Sequence, residues 1–535
     1  WEVPMFMLLI NLRTYTNFIF FLLLIGINGI WVYSRFRKKS DISLAPYIFI
    51  NLCLFIFWAW TAGIESDESE HLHCAWLVSR GLIPFKDFWQ HHSPLLWAFM
   101  APFIKVCKPS VFIFESSRLA ALFISLVNFF IGWRISRKCW EGKAGISVYL
   151  LVISSAAILS QFCWLRPDLF MQFFLLIGIY CCLEIPGKKL SPAFWTGIAF
   201  GLAESFIFKQ YLLLLAPLIV IFRENHRLKP AKAFLYLAGI VLGCCPLIYY
   251  LVSRNIVYEF FFWVVRFNGK RMIFSNAFPL AISGLGVWGA FLLFKRCRSS
   301  GDSKSFILLA FFCLSFLSSL TGLAPMPLTG GGYYLGFWFI MCGIAGSGCP
   351  FPGVFRYFRS LRLKIFVLSV IPVLFVFPNI MLNIHKNDEA DFFESKKVIA
   401  RLMNYCGSES CFTLVPFHPI FNFDATRLFL IWQRSFAMNL SSVKKDLMKS
   451  SIAADILAKR PAVIVYRIDG RLTVVDLLLN GWVSKDDYNK LLRFFEQEYT
   501  VEKIGKEKFY IRNDKLGVDI SARNPENESA AGKDQ

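Results

Sequence analysis

The stretch from Glu65 to Pro94 reads ESDESEHLHCAWLVSRGLIPFKDFWQHHSP and holds the side chains that proton transfer and metal binding use. It carries the carboxylates Glu65, Asp67, Glu68, Glu70 and Asp87 together with His71, His73, His91 and His92, four of the chain's seven histidines. Three readings fit those residue types. Asp67, supported by Glu68, can accept a proton from a hydroxyl group. The acids and histidines can equally form a solvated loop in which they merely complement one another. Finally, Asp67 and His71 are four positions apart and share one face of any helix formed there, so with His91 and His92 they offer ligands to a divalent metal.

The elements that must position this stretch are apolar. Of 535 residues 56% are hydrophobic and 17% charged, with mean hydropathy +0.52, against about 25% charged residues in soluble domains. This composition predicts an integral membrane protein. The net charge of +21 does not indicate nucleic acid, because the basic residues sit in short clusters between apolar runs, where orientation signals belong. Apolar spans are expected at 17–33, 46–63, 117–133, 144–160, 168–183, 193–208, 211–222, 233–252, 278–295, 305–323, 332–347 and 365–383, about twelve crossings. Leu95 to Val106 is short and broken by Pro102, and reads as an interfacial helix.

Six basic clusters fall on alternate connections and so agree with one orientation. They are RFRKKS at 35–40, then Arg134 to Lys143, Lys188 and Lys189, Arg223 to Lys232, Lys295 to Lys304, and Arg356 to Lys364. If these face the cytoplasm, the segments 64–94, 166–168, 209–210, 253–277 and 324–331, and everything after about 384, lie outside. Cations on the outer side run against the bias. Lys209 in FKQY, and Arg254, Arg266, Lys270 and Arg271 in 253–277, are such cations. An anionic lipid headgroup or phosphate would account for them, as would snorkelling at the interface.

After about residue 384 charge returns and the apolar runs shorten to strand length: CFTLV at 411–415, AVIVYR at 462–467 and KFYIR at 508–512. Helical patterns at 388–404, 441–458 and 486–497 alternate with them, predicting a small extracytoplasmic α/β domain over 384–513. Residues 514–535 are polar and read as a disordered tail. Most of the 15 cysteines lie in apolar runs as small hydrophobes. Cys406 and Cys411 in CGSESC are close enough in sequence to close a small disulfide outside the cytoplasm. The chain has no P-loop, no GxGxxG and no GxSxG elbow.

The succession of motifs resembles the C-type glycosyltransferase superfamily, which includes protein O-mannosyltransferases, the aminoarabinose transferase acting on lipid A, and rhizobial lipopolysaccharide sugar transferases. The resemblance rests on an apolar span followed by Asp67-Glu68, a helix-like stretch, and GLIPFKDFWQHHSPLLW closing on His92-Ser93-Pro94-Leu95. It continues in ESSRLAAL at 115–122 with Arg118, WLRPDLFMQFFLL at 164–176 with Asp168, and FKQY at 208–211. It covers about 46–383 as a transmembrane catalytic core, after an extra N-terminal span and basic turn in 1–45.

The resemblance implies an α-helical polytopic membrane protein of the bacterial inner membrane that moves a sugar, with inversion, from a polyprenyl-phosphate carrier to an extracytoplasmic glycan, lipid or protein. It implies Asp67 as the base with Glu68 beside it, and Lys209, Arg266, His91 and His92 on the donor phosphate. Asp87, Arg118, Asp168, Lys270 and Arg271 are further outer-loop candidates. No cofactor is implied with certainty, and a divalent metal on Asp67 and His71 stays open. Ser93 replaces the first Pro of the usual pair, and His91 stands where lipid A-modifying members carry Glu, which argues against that substrate. A transporter or flippase for lipid-linked saccharides, and a polysaccharide polymerase or ligase, are the alternatives.

Overall fold

A computed structural model describes residues 64, 66–140, 164–208, 210–223, 229–267, 280–320, 336–347, 392–412, 418–425, 452–465, 467–468, 472–473, 484–504 and 507–516. The spans expected at 17–33, 46–63, 144–160 and 365–383 lie outside these residues. The chain divides into two compact units. One comprises Trp1–Ala62, His91–Leu96 and Phe114–Glu389; the other comprises Gly63–Gln90, Trp97–Ile113 and Ala390–Gln535. Residues 63–90 and 97–113 thus group with residues 390–535.

The first unit is helical. Ile113–Cys139 and Pro230–Ser253 are each long and apolar enough to cross a bilayer, and Pro167–Cys182, Tyr211–Arg223 and Ser303–Ser318 are shorter apolar helices. Ser191–Phe206, Leu280–Ser300 and Gly336–Gly346 complete the described set of spans. The segment 253–277, read from sequence as a loop, is helical over Val257–Phe260 and continues as a π-helix over Phe261–Phe267. No proline or glycine interrupts the run from Val257 to Phe267.

A glycine seam joins Ser191–Phe206 to Pro230–Ser253. Gly197 and Gly201 on the first helix face Gly239 and Gly243 on the second. A Cβ at Gly197 would stand 2.1 Å from the Tyr236 carbonyl oxygen, and one at Gly243 would stand 2.3 Å from that of Ile198. Small residues four apart on both partners let the backbones meet, which is how apolar helices gain packing energy where lipid already satisfies their side chains.

The helix ends that carry the basic clusters lie together at one end of this unit. Lys138 pairs with Glu184. Lys232 donates to the carbonyls of Ile185 and Gly187 at 2.5 and 2.8 Å, closing the turn after Pro167–Cys182. Arg296 reaches the Cys139 carbonyl at 3.1 Å and Asp302 at 3.3 Å, while Arg223 lies 3.9 Å over the Phe306 ring.

In the second unit, helix Ser66–Ser79 and the turn 80–90 come with a mixed sheet of order β1-β2-β6-β5. Here β1 is Cys411–Phe412, β2 Val463–Val465, β5 Tyr499–Ile504 and β6 Glu507–Arg512. β1 and β2 pair in parallel, and β6 pairs antiparallel with β2 and β5. Two short strands, β3 (Arg467–Ile468) and β4 (Leu472–Thr473), form a separate ladder. Helices Phe392–Cys406, Ile452–Lys459 and Lys485–Glu498 accompany the sheet. Ser484 caps the last of these by accepting from the Asp487 amide at 3.1 Å.

The sheet's core includes Leu402, Val463, Phe509 and Ile511, with Cys406 and Cys411 as buried free thiols. Asn513–Lys515 forms a 3-10 turn tied into this domain. Residues 514–516, at the start of the expected tail, thus belong to ordered structure, and residues 517–535 lie outside the described ones.

Candidate active site

Helix Ser66–Ser79 opens with Asp67 and Glu68 in its first turn, where the exposed amides of the helix N-terminus favour negative charge. Asp67 is half-buried and Glu68 fully buried. One turn on, buried Glu70 accepts a hydrogen bond from Gln90 at 2.7 Å, and Gln90 also reaches the Cys74 sulfur at 3.2 Å. His71 Nδ1 accepts the Trp97 indole hydrogen at 3.1 Å. A neutral ring that accepts at Nδ1 carries its hydrogen on Nε2, so His71 offers a metal no lone pair in this tautomer. Neither Asp67 nor His71 belongs to a group of three ligating side chains among the described residues.

Asp87 is exposed, and its carboxylate accepts the Ile83 amide at 2.6 Å while its own amide donates to the Ile83 carbonyl at 2.9 Å. Phe85 sits in that turn at φ 70°. A bulky residue in the left-handed region is strained, and the Asp87 contacts hold it there. Asp87 shapes the loop.

In the other unit, His91 is buried and His92 half-buried, with ring centroids 4.0 Å apart. Ser93 donates through its hydroxyl to the Ser205 carbonyl at 2.5 Å, a contact proline cannot make. Arg118 is buried in the second turn of Ile113–Cys139. Asp168 is buried in the first turn of Pro167–Cys182, 3.4 Å from the Arg166 guanidinium. Glu204 is buried in the last turn of Ser191–Phe206, and Phe206 stacks on Phe170 at 4.9 Å. This end, opposite the basic one, gathers polar side chains that the bilayer would otherwise disfavour. Arg266 lies on the π-helix Phe261–Phe267. Lys209, Lys270 and Arg271 lie outside the described residues.

A cluster that the sequence did not reveal involves the loop helix. His73 Nε2 lies 2.8 Å from Asp424 Oδ2, and His418 Nε2 lies 2.8 Å from Asp424 Oδ1. His73 Nδ1 contacts the Ile420 carbonyl at 2.9 Å, and the two imidazole centroids are 3.9 Å apart. Burial opposes ionisation of Asp424, but the His73 and His418 rings outweigh it and bring the carboxyl down to about 2. For His418, burial and the His73 ring press the pKa down, yet Cys411 and Asp424 together leave it raised. His73 and Asp424 are 351 positions apart, and no local spacing announces such a pairing.

No protein-family model matches the sequence, and no curated protein matches it significantly. Among solved structures, ArnT from Cupriavidus metallidurans bound to undecaprenyl phosphate is similar, with TM-score 0.54 and 13% identity over 88% of this chain and 98% of that one. The Archaeoglobus fulgidus oligosaccharyltransferase tethered with an acceptor peptide aligns at TM-score 0.38 and 10% identity, over 66% of this chain and 55% of that one. The likeness to ArnT runs through the spans and into the C-terminal domain. The chain shares the fold of ArnT, that of a mostly helical polytopic membrane protein.

Proposed function

We propose that the chain is an inverting glycosyltransferase that takes a sugar from a polyprenyl-phosphate carrier on the outer face of the membrane. The observation that supports this most is the near full-length likeness in fold to ArnT, which was solved with undecaprenyl phosphate bound. An acceptor hydroxyl attacks the anomeric carbon, the bond from that carbon to the phosphate oxygen breaks, and the hydroxyl proton passes to Asp67. The polyprenyl phosphate leaves as a stable anion, so the site has to stabilise charge there more than it has to supply an acid. Lys209, Arg266, His91 and His92 are proposed to hold that phosphate. Glu68, fully buried beside Asp67 in sequence, supports the base.

A transporter would need ionisable side chains near the bilayer midplane. Among the described residues of the apolar helices in the first unit, every charged residue falls within two turns of a helix end, which favours the enzyme. The test is release of polyprenyl phosphate by the purified chain from a set of polyprenyl-phosphate sugars. Asp67→Asn is expected to lower turnover by roughly 10²–10⁴-fold, and Lys209→Ala and Arg266→Ala to raise the apparent KM for donor. Wild-type turnover in folded Asp67→Asn removes the base.

A further inference from the structure

We propose that His73, His418 and Asp424 bind one zinc-like divalent cation that fastens the loop helix Ser66–Ser79 to the C-terminal domain, with the Cys411 sulfur as the candidate fourth ligand. The argument begins with hydrogens. His73 Nδ1 lies 2.9 Å from the Ile420 carbonyl oxygen. A carbonyl can only accept, so Nδ1 carries the hydrogen, and a neutral ring then presents a bare lone pair at Nε2. That lone pair faces a carboxylate oxygen of Asp424 at 2.8 Å. Two lone pairs cannot share that contact, so something positive lies between them. Either a proton sits there, on the wholly buried ring or on the carboxyl, or a metal ion takes the place of that proton.

The surroundings favour the metal. The ligating atoms of His73, His418 and Asp424 all lie within 4.8 Å of one another. Asp424 turns one oxygen to each ring, 2.8 Å from His73 Nε2 and 2.8 Å from His418 Nε2. Cys411 Sγ is 3.9 Å from the same His418 nitrogen. Tetrahedral zinc, with ligand bonds of about 2.0–2.3 Å, sets its ligands about 3.3–3.6 Å apart, so the nitrogens and oxygens need to open by roughly 0.5 Å to admit it. The bond from His73 Nδ1 to a backbone carbonyl is the kind that fixes the tautomer of zinc-bound histidines. Two imidazoles, a carboxylate and a thiol select a borderline-soft ion such as Zn²⁺ over Mg²⁺ or Ca²⁺. A proton leaves the thiol if it ligates, so binding is expected to release it.

The test uses the full chain in detergent, purified without chelator, then supplied with Zn²⁺ alone and freed of excess. Elemental analysis is expected to find about one zinc per chain at this site, and His73→Ala and Asp424→Asn should each hold one equivalent fewer than wild type. Metal bound elsewhere in the chain stays in both variants and so does not confuse the count. Cobalt(II) in place of zinc should give an intense tetrahedral visible spectrum, with a thiolate charge-transfer band that Cys411→Ser abolishes. Should one of these variants fail to fold, the other and the Cys411→Ser cobalt spectrum carry the assignment, and a wild type without zinc decides by itself. No zinc in the wild type, or an equal count in a folded His73→Ala, leaves a proton-bridged histidine–aspartate cluster and overturns the proposal. No sugar substrate enters the assay, so its outcome is separate from that of glycosyl transfer.

Discussion

Arg512 shows how a single side chain can close a small domain. Its guanidinium reaches Asp514 through Nε at 2.7 Å and Nη2 at 2.9 Å, and Glu409 through Nη2 at 2.5 Å. Lys515 also pairs with Glu409. The Arg512 hydrogen bond holds the Asp514 carboxyl below its ordinary value, and the Lys515 and Arg512 bonds do the same for Glu409. Both folded-state values are depressed, so the stabilisation is fully present above the ordinary carboxylate range. It is lost as pH falls through the lower folded values. The groups are partly exposed, so each pair contributes only about 0.2–1 kcal/mol. Thermal unfolding of the wild type should therefore weaken from about pH 6 to about pH 3. In Arg512→Met the melt at the higher pH should be lower and the fall with acid shallower. An identical acid-induced drop in both proteins would show that the clamp contributes nothing.

Residue scale also marks where the sequence was legible. Asp67, Glu68 and the four histidines are candidates by type and position alone. His418 and Asp424 were not, because residues that meet across a tertiary contact leave no periodic trace. Asp87 carries a use that composition could not show: its carboxylate accepts the Ile83 amide in the turn that holds the strained Phe85.

Among elements, the long apolar helices followed the sequence to within a few residues, since an uninterrupted apolar run has little other choice. Ile113–Cys139 and Pro230–Ser253 extend past the expected 117–133 and 233–252 at both ends. β5 was missed because YTVEKI directly follows the charged helix Lys485–Glu498, and its alternation is half polar. The glycine seam was readable as GIAFG and GIVLG inside apolar spans, but only the structure pairs the two.

That pairing reverses an ordinary expectation. Gly→Ala in a helix interior normally stabilises by about 1 kcal/mol. At Gly197 the new Cβ would sit 2.1 Å from a backbone oxygen, and at Gly239 it would sit 2.3 Å from one. Backbone cannot swing aside as a side chain does, so Gly197→Ala and Gly239→Ala should each destabilise by more than the ~1–3 kcal/mol of common overpacking. Thermal unfolding in detergent reads the sign directly, and a raised midpoint in either variant would dismiss the seam.

For the whole molecule, the decisive property is which side each helix end faces. The contacts of Lys138 with Glu184, Lys232 with Ile185, Arg223 with Phe306 and Arg296 with Cys139 gather the basic helix ends at one end of the helical unit. The buried polar groups Asp168 and Glu204, and the Ser93–Ser205 contact, belong to helix ends of the opposite sense. The positive-inside bias predicts that the first end faces the cytoplasm. A cysteine introduced at Lys189, on the turn after Pro167–Cys182, and one at Arg254, just past Pro230–Ser253, should therefore be separated by the bilayer. In intact cells a membrane-impermeant maleimide should add label over the parent chain to Arg254→Cys alone. Lys189→Cys should gain label only after permeabilisation. The reverse pattern would turn the molecule over and put the proposed site on the cytoplasmic face, where an extracytoplasmic acceptor cannot reach it. Equal labelling of both before permeabilisation would mean that the two helix ends share one side, which the contacts along the helical unit forbid.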